Sequence, residues 1–274
     1  MVREAAAQGN ALAQHSIGYM YHNGLGVKRD YAKALEWYGK AAAQENPTAQ
    51  YNIGYMYLGG LGVKQDYKKA AEWFEKSASN GNADAQNNLG LMYNIGLGVP
   101  ENSDKAVERF EKAALNGNIT AQYNLGEFYY HVKQDYAKAL EWYEKAAIQG
   151  NAFAQHSIGY MYHNGLGVKH DYAKAKEWFE KAATQENAAA QNNLGYMYAH
   201  GHGVEQDYAK AKEWFEKASA QGLASAQYHI GYMYLHGLGV PQSNDKAIEY
   251  FTQAAEQGNE YAKSELQKLS QQDR

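Results

Sequence analysis

Apolar and small residues recur along the chain at helical spacing, in pairs of short segments separated by a glycine-containing turn. In the first segment Ala13, Ile17, Gly18 and Tyr21 fall at i, i+4, i+5 and i+8, on one face of a helix. Glycine inside a helix costs about 1 kcal/mol relative to alanine. We therefore expect Gly18 to allow close contact with a partner helix that a Cβ atom would prevent.

The turn after this helix predicts where the next helix begins. Gly24 and Gly26 suit the positive φ angles of a tight turn. Asp30 then stands where an N-cap is expected, and its side chain can accept a bond from a free helical N–H. The equivalent positions hold other good capping residues: Asp66, Asn102, Asp135, Asp171, Asp207 and Ser243.

The second segment is predicted to be an amphipathic helix. Its solvent face carries Glu36 and Lys40 at i and i+4, in the order that favours an ion pair. Its opposite face is apolar and cannot be buried by one helix pair alone, so neighbouring pairs must stack. The residues predicted to point inward are Tyr31, Ala34, Trp37, Ala41 and Ala42.

The helix pair is repeated seven times. The dipeptide Ala-Gln recurs at a spacing of 36 residues, and once of 33, beginning at Ala13, Ala49, Ala85, Ala121, Ala154, Ala190 and Ala226. The shorter fourth unit, which contains EFYYHVKQDY, has lost the glycine turn, so a shorter connection is expected there. This organisation predicts an all-α protein, an α-solenoid of antiparallel helix–turn–helix repeats.

A longer period is superimposed on the short one. Pro100 and Pro241, and likewise His15 and His156, are 141 residues apart, which is the length of four units and suggests that a four-unit block was duplicated. We expect residues 1–10 to be the end of a preceding repeat in a longer protein, residues 11–258 to be the seven repeats, and residues 259–274 to be a C-terminal capping helix.

Composition narrows the class of protein. Hydrophobic residues make up 45% and charged residues 20%, which argues against disorder, and no apolar run is long enough for a membrane helix. A formal net charge of -4 provides no basic surface for nucleic acid. Cysteine is absent, which excludes disulfides and cysteine nucleophiles. No signal peptide is visible in MVREAAAQGN, and cytoplasmic, periplasmic and secreted locations all remain open.

The unit, written A-x-A-Q-x-x-L-G-x-x-Y-x-x-G-x-G-V-x-x-D-x-x-K-A-x-x-W-x-x-K-A-A-x-x-G, resembles the Sel-1-like repeat, a relative of the tetratricopeptide repeat. The resemblance implies a right-handed superhelix whose first helices line the concave side. Members of the family act as adaptors in protein complexes, and some bacterial members are immunity proteins against secreted effectors. A cysteine-rich branch is linked to β-lactamase activity, which we do not transfer to a chain without cysteine.

If the first helices line the groove, three rows of side chains face a partner. They are rich in tyrosine, a common interface anchor, and in asparagine, which can bond to peptide amides. For any one tyrosine of the second row, packing between adjacent first helices is an equally good interpretation. The predicted binding residues are His15, Tyr51, Asn87, Tyr123, His156, Asn192 and Tyr228 in the first row, Tyr19, Tyr55, Tyr160, Tyr196 and Tyr232 in the second, and His22, Tyr130 and His163 in the third.

Neither metal binding nor catalysis is indicated. His15 and His22 are seven residues apart, about 10 Å along a helix, too far for both to bind one ion directly. No H-E-x-x-H, G-x-S-x-G or P-loop motif occurs. The acidic residues recur with the repeat as caps and solvated faces. We therefore predict a non-enzymatic protein without cofactor.

The predicted function is an adaptor that binds a protein or peptide segment in its concave groove. An immunity protein that neutralises a secreted effector is the alternative, and a cell-wall or β-lactam hydrolase is a remote one. We expect a monomer that neither binds nucleic acid nor inserts into membranes. Because near-identical blocks can stack, end-to-end self-association is a further alternative.

Overall fold

The computed structural model describes residues 2–272, which form sixteen α-helices and one π-helical turn, with no strand among them. The chain divides into two compact units, residues up to Phe128 (unit 1) and residues from Tyr129 onward (unit 2). The helices of unit 1 are α1 (Val2–Ala7), α2 (Ala11–Asn23), α3 (Tyr31–Ala42), α4 (Pro47–Gly59), α5 (Tyr67–Ser79), α6 (Ala83–Ile95), α7 (Ser103–Leu115) and α8 (Ile119–Phe128).

Unit 2 begins with the π-helical turn Tyr129–Lys133. Its helices are α9 (Tyr136–Ile148), α10 (Ala152–Asn164), α11 (Tyr172–Ala183), α12 (Ala188–His200), α13 (Tyr208–Ala220), α14 (Ala224–His236), α15 (Asn244–Glu256) and α16 (Glu260–Gln272). Within each unit every helix packs against the helices before and after it in the chain. The predicted all-α class and the succession of helix pairs are confirmed.

The helical glycines lie where two helices of a pair touch. A Cβ atom on Gly54 would sit 2.7 Å from Cδ1 of Phe74, and one on Gly195 would sit 2.6 Å from Cδ1 of Phe215. Real Cβ atoms do not approach aromatic carbons so closely, so the ring occupies the space that glycine leaves. The expected close contact is confirmed, and the buried ring compensates for the low helix propensity of glycine.

The aromatic residue at the centre of each second helix differs from the one expected. Tyr38 is 1% exposed and Phe74 is completely buried, whereas Trp37 is only half-buried. Lys40 lies over the Trp37 ring, with Nζ 4.2 Å from the centroid, so the indole covers the edge of the core beneath a lysine. The prediction that Trp37 is the inward aromatic was wrong, because the next residue fills the space beside Gly18.

The recurrent Ala-Gln dipeptide connects successive repeats. Ala49 is completely buried, and the adjacent Gln50 is 4% exposed. Gln50 Nε2 donates to the carbonyl of Ala42 in the preceding helix at 3.4 Å, and Gln50 Oε1 accepts from Asn80 Nδ2 at 3.0 Å. The glutamine amide is therefore bonded on both sides while buried, which explains why the pair recurs as a unit.

Turns and caps follow the sequence prediction. Gly24 has φ 74°, and Gly62 combines φ 70° with a second constraint, since a Cβ there would lie 2.5 Å from Cβ of Tyr31 in the preceding repeat. The Asp30 carboxylate accepts from the backbone N–H of Lys33 at 3.0 Å, as an N-cap does. Each predicted capping residue makes the same bond three residues on: Asp66, Asn102, Asp135, Asp171, Asp207 and Ser243.

The fourth repeat replaces the glycine turn by the π-helical turn. In the first repeat the N–H of the capping residue Asp30 bonds to the carbonyl of Tyr21 at 2.9 Å. In the fourth repeat the N–H of Asp135 bonds to the carbonyl of Tyr129, also at 2.9 Å, although three residues fewer separate cap and tyrosine. The wider π-helical turn thus preserves the anchoring bond of the second helix within a shorter connection.

Candidate protein-binding surface

The second predicted row places mostly exposed aromatic side chains on the first helices, and we call its five tyrosines the tyrosine row. Tyr19 is 50% exposed and Tyr55 is 46% exposed in unit 1. Tyr160 is 43% and Tyr232 is 40% exposed in unit 2, whereas Tyr196 is half-buried. Each of the five lies one residue after a buried helical glycine. The backbone that carries these rings is therefore fixed by the glycine contact beneath it.

Most of the first row is half-buried, and four of its seven residues are bonded to the first helix of the next repeat. His15 Nε2 and Asn52 Nδ2 lie 3.0 Å apart in unit 1, and the equivalent atoms of His156 and Asn193 lie 3.0 Å apart in unit 2. These side chains do not simply project outward, as a purely ligand-facing row would. The other first-row residues are Tyr51, Tyr123, Asn192 and Tyr228, all half-buried, and Asn87, which is 5% exposed.

Two further bonds of this kind occur in unit 1. Asn88 Nδ2 donates to the Tyr51 hydroxyl at 3.5 Å, and Asn124 Nδ2 donates to Asn87 Oδ1 at 2.8 Å. We call these contacts inter-repeat bonds, since each joins a first-row residue to the first helix of the next repeat. They could not be recognised in the sequence, because His, Tyr and Asn all serve as the first-row partner.

The third row packs beside the second helices and is half-buried at His22, Tyr130 and His163. The His22 ring meets Tyr31 edge-on with centroids 5.3 Å apart, and Tyr130 meets Tyr136 in the same way at 5.2 Å. Burial is the main cause that lowers the pKa of His22 and of His163. Both imidazoles are therefore held towards the neutral form.

Unit 2 carries additional histidines around the tyrosine row. His200 stacks on Tyr196 with centroids 4.0 Å apart, and His202 Nδ1 lies 3.3 Å from His163 Nε2. Burial and the neighbouring His200 lower the pKa of His202. Nothing in the sequence indicated that His200 contacts Tyr196 or that His202 contacts His163.

The geometry also bears on metal sites and membrane-spanning helices. Within residues 2–272, no three His, Cys, Asp or Glu side chains come together in a way that could hold a metal ion. In the same range every helix is too short or too polar to cross a lipid bilayer. The surface that remains is an aromatic and polar one, built on the exposed sides of the first helices.

Comparison with known families accounts for this architecture. The Sel1 repeat profile matches seven consecutive segments: 11–46, 47–82, 83–118, 119–151, 152–187, 188–223 and 224–259. The chain belongs to the Sel1 repeat family. Each matched segment of this Sel1 repeat protein contains one first helix followed by one second helix. The resemblance expected from the recurrent Ala-Gln, Gly and Lys-Ala motifs is confirmed.

Solved Sel1 repeat structures are similar over almost the whole chain. The protective antigen c5321 of uropathogenic Escherichia coli is 38% identical with a TM-score of 0.87, over 95% of this chain and 56% of that one. A Sel1 repeat protein from Oxalobacter formigenes is 37% identical with a TM-score of 0.78, over 98% of this chain and 78% of that one. The chain thus spans little more than half the length of c5321. No curated protein matches the chain.

A more distant structure shares the fold alone. The immunity protein PA5088 from Pseudomonas aeruginosa is 22% identical with a TM-score of 0.52, over 76% of this chain and 81% of that one. At that identity the similarity concerns the arrangement of helices. It carries no information about which side chains bind a partner.

Proposed function

We propose that this Sel1 repeat protein is a non-catalytic scaffold that binds a partner protein through the exposed side of its first helices. The supporting observation is the tyrosine row: Tyr19, Tyr55, Tyr160 and Tyr232 are each at least 40% exposed, on helices whose opposite sides are closely packed. The part of each aromatic side chain that remains in water does not stabilise the fold. Their burial by a partner would supply binding energy.

Tyrosine suits this role for physical reasons. Its ring buries a large area with little loss of rotamer freedom, and its hydroxyl keeps a hydrogen bond at the edge of an interface. The half-buried first-row residues beside it are held by inter-repeat bonds, such as His15 to Asn52 and His156 to Asn193. A partner would therefore meet side chains that are already ordered, which reduces the entropy lost on binding.

The row also offers a means of specificity. Leu91 and Glu127 occupy the same position in the third and fourth repeats, so the surface is not uniform along the chain. Glu127 introduces a carboxylate, whereas Leu91 is a purely apolar contact that is 39% exposed. A partner that matched the tyrosines would also have to accommodate these two side chains.

The test is affinity capture with three forms of the chain. Wild type would be compared with a triple Tyr19, Tyr160 and Tyr196 to Ala variant, and with a control in which Glu72, Glu177 and Glu213 become Ala. The control glutamates are exposed on second helices. We expect mass spectrometry to identify a protein from the source lysate retained by wild type and control and at least about tenfold depleted with the tyrosine variant, since hot-spot tyrosines each contribute about 1–2 kcal/mol or more.

Two results would refute this placement. One is equal retention of the same protein by all three forms. The other is loss with the glutamate control alone, which would move the binding surface to the second helices. Circular dichroism of each variant would verify that the helical content is unchanged.

A further inference from the structure

One first-helix position departs from the repeat in unit 2. The residue that follows the first row is Ser16, Asn52, Asn88, Asn124, Ser157 and Asn193 in the first six repeats, and His229 in the seventh. Each of these four asparagines makes an inter-repeat bond to the preceding first helix. His229 does not bond to Asn192, whose Oδ1 is buried without a hydrogen-bond partner.

The His229 ring is instead stacked on the core. Its centroid lies 4.8 Å from that of Phe215 at an interplanar angle of 23°, and no hydrogen-bond partner of the ring is found among residues 2–272. Burial, followed by the neighbouring His200, lowers the pKa of His229 to about 4. The imidazole is therefore neutral near pH 7, with one nitrogen that can donate and one that can accept a hydrogen bond.

Two cavities meet at this ring. The larger, of about 400 Å³, is also lined by His200, Tyr232, Met233 and His236. The smaller, of about 260 Å³, has walls formed by Tyr160, His163, Phe179, Asn192 and Tyr196 together with His229. Together we call them the His229 pocket. They open beside tyrosines of the tyrosine row, so a group bound there would also touch the proposed protein-binding surface.

The lining selects the chemistry of the occupant. Neither cavity is lined by an aspartate, glutamate, lysine or arginine. A charged side chain entering the pocket would lose its hydration without gaining a counter-charge, which is costly. Aromatic walls favour a flat ring, and the neutral imidazole favours a polar edge on that ring. These requirements are met by an uncharged aromatic side chain that carries an N–H or O–H group.

We propose that the His229 pocket receives a tryptophan or tyrosine side chain of the partner protein, with the polar edge of that ring hydrogen-bonded to the His229 imidazole. This inference rests on the proposed function and adds the class of residue that the partner presents. The pocket is specific to the seventh repeat, because the residue of unit 1 that is equivalent to His229, Asn88, makes an inter-repeat bond to Tyr51.

The probe is N-acetyl-L-tryptophanamide, which is uncharged, with N-acetyl-L-lysinamide as the charged counterpart. The full chain would carry methionine labelled with ¹³C at the methyl group. Met233 lines the pocket, and Met92 holds the equivalent position in unit 1 as an internal control. We expect saturable shifts of the Met233 methyl signal with the tryptophan amide, no matching shift at Met92, and at least about tenfold weaker binding of the lysine amide.

The variant that tests the residue is His229→Asn, since asparagine occupies this position in four other repeats and can make the missing bond to Asn192. We expect this variant to bind the tryptophan amide at least about tenfold more weakly than wild type. His229→Ser, the residue of the first and fifth repeats, is a second variant with the same expectation. Unchanged binding in both variants, equal shifts at Met92, or preference for the lysine amide would overturn the proposal.

The outcomes separate this proposal from the broader one. If partner capture depends on the tyrosine row but His229→Asn captures as well as wild type, the pocket proposal is wrong and the proposed function stands. If the tryptophan amide binds near Met233 but the tyrosine variant captures the partner as well as wild type does, the pocket is a binding site and the proposed function is wrong.

Discussion

Units 1 and 2 contain equivalent positions 141 residues apart, and a comparison of these positions separates scaffold from surface. Gly54 and Gly195 face Phe74 and Phe215 at almost the same distance, 2.7 and 2.6 Å from the Cβ position to Cδ1. The surface residues differ in chemistry: unit 1 has Gly59, Leu61 and Asn88 where unit 2 has His200, His202 and His229. The substitutions fall on and around the first helices, where side chains can change without disturbing the helix pair.

The difference shows where a repeat protein can acquire function. A core side chain contacts both helices of its pair and the neighbouring repeat, so a change in its volume disturbs the packing of all three. A first-helix position outside that core can change its side chain while the core ring stays buried. His229, for example, replaces an inter-repeat bond by a stacked ring and leaves the buried Phe215 in place, 1% exposed. New chemistry therefore accumulates on the exposed side of the first helices.

The largest expected effect tests whether the two scaffolds are equivalent. Gly54→Ala and Gly195→Ala would each force a methyl group into the ring of Phe74 or Phe215. Overpacking of this kind costs about 1–3 kcal/mol. After the gain in helix propensity of about 1 kcal/mol is subtracted, a net loss of stability of up to about 2 kcal/mol remains. We expect both variants to lower the urea midpoint of unfolding by similar amounts, as measured by circular dichroism.

A matched control is available in Gly39→Ala, because a Cβ there would meet nothing within 4 Å. This substitution should leave stability unchanged or raise it. A stabilised Gly54→Ala, or a large difference between Gly54→Ala and Gly195→Ala, would contradict the equivalence of the two scaffolds.

A smaller effect tests the difference between the units and depends on pH. Burial lowers the pKa of His156 and of His229 from 6.5 to about 4. The unfolded chain therefore binds more protons than the folded one between these values, and stability falls as the pH drops from 6.5 towards 4. For His229, with allowance for its remaining solvent contact, we expect a loss on the order of 1 kcal/mol between about pH 7 and pH 5.

Urea titrations over this pH range would compare wild type with His229→Asn. The free energy of unfolding of the variant should depend less steeply on pH. His200→Ala is the control, since His200 is exposed and its removal should leave most of the slope in place. Removing His200 also removes a charge that opposes protonation of His229. Equal slopes for wild type and His229→Asn would show that His229 titrates normally in the folded protein.

Much of the fold could be predicted from the sequence because each repeat presents the same local signals. The capping residues Asp30 and Asp66 and the turn at Gly24 follow from intrinsic backbone preferences, and the helical glycines, which oppose those preferences, indicated a close helix contact. The inward aromatic was mistaken because Trp37 and Tyr38 are adjacent, and a helical period cannot decide between two neighbouring aromatic side chains. The loss of the fourth glycine turn was visible in the sequence, but nothing there indicated that a π-helical turn would replace it.

The candidate surface was harder to predict, for a geometric reason. Which residues of a first helix are exposed depends on how it meets the first helix of the next repeat. Both His15, in the first row, and Tyr19, in the second, were predicted to face a ligand, whereas Tyr19 is 50% exposed and His15 is half-buried against Asn52. The His229 pocket depends on the same geometry. Its signal was a single histidine at a position that elsewhere holds Asn or Ser.

Site-specific photo-cross-linking in a lysate of the source organism tests directly whether the first helices form the binding surface. p-Benzoylphenylalanine would replace Tyr160 on the first-helix surface in one sample, and the exposed second-helix residue Glu177 in another. We expect a discrete adduct to one protein from position 160 and none to that protein from position 177. An adduct to the same protein from position 177 alone would contradict the assignment of the first helices as the binding surface.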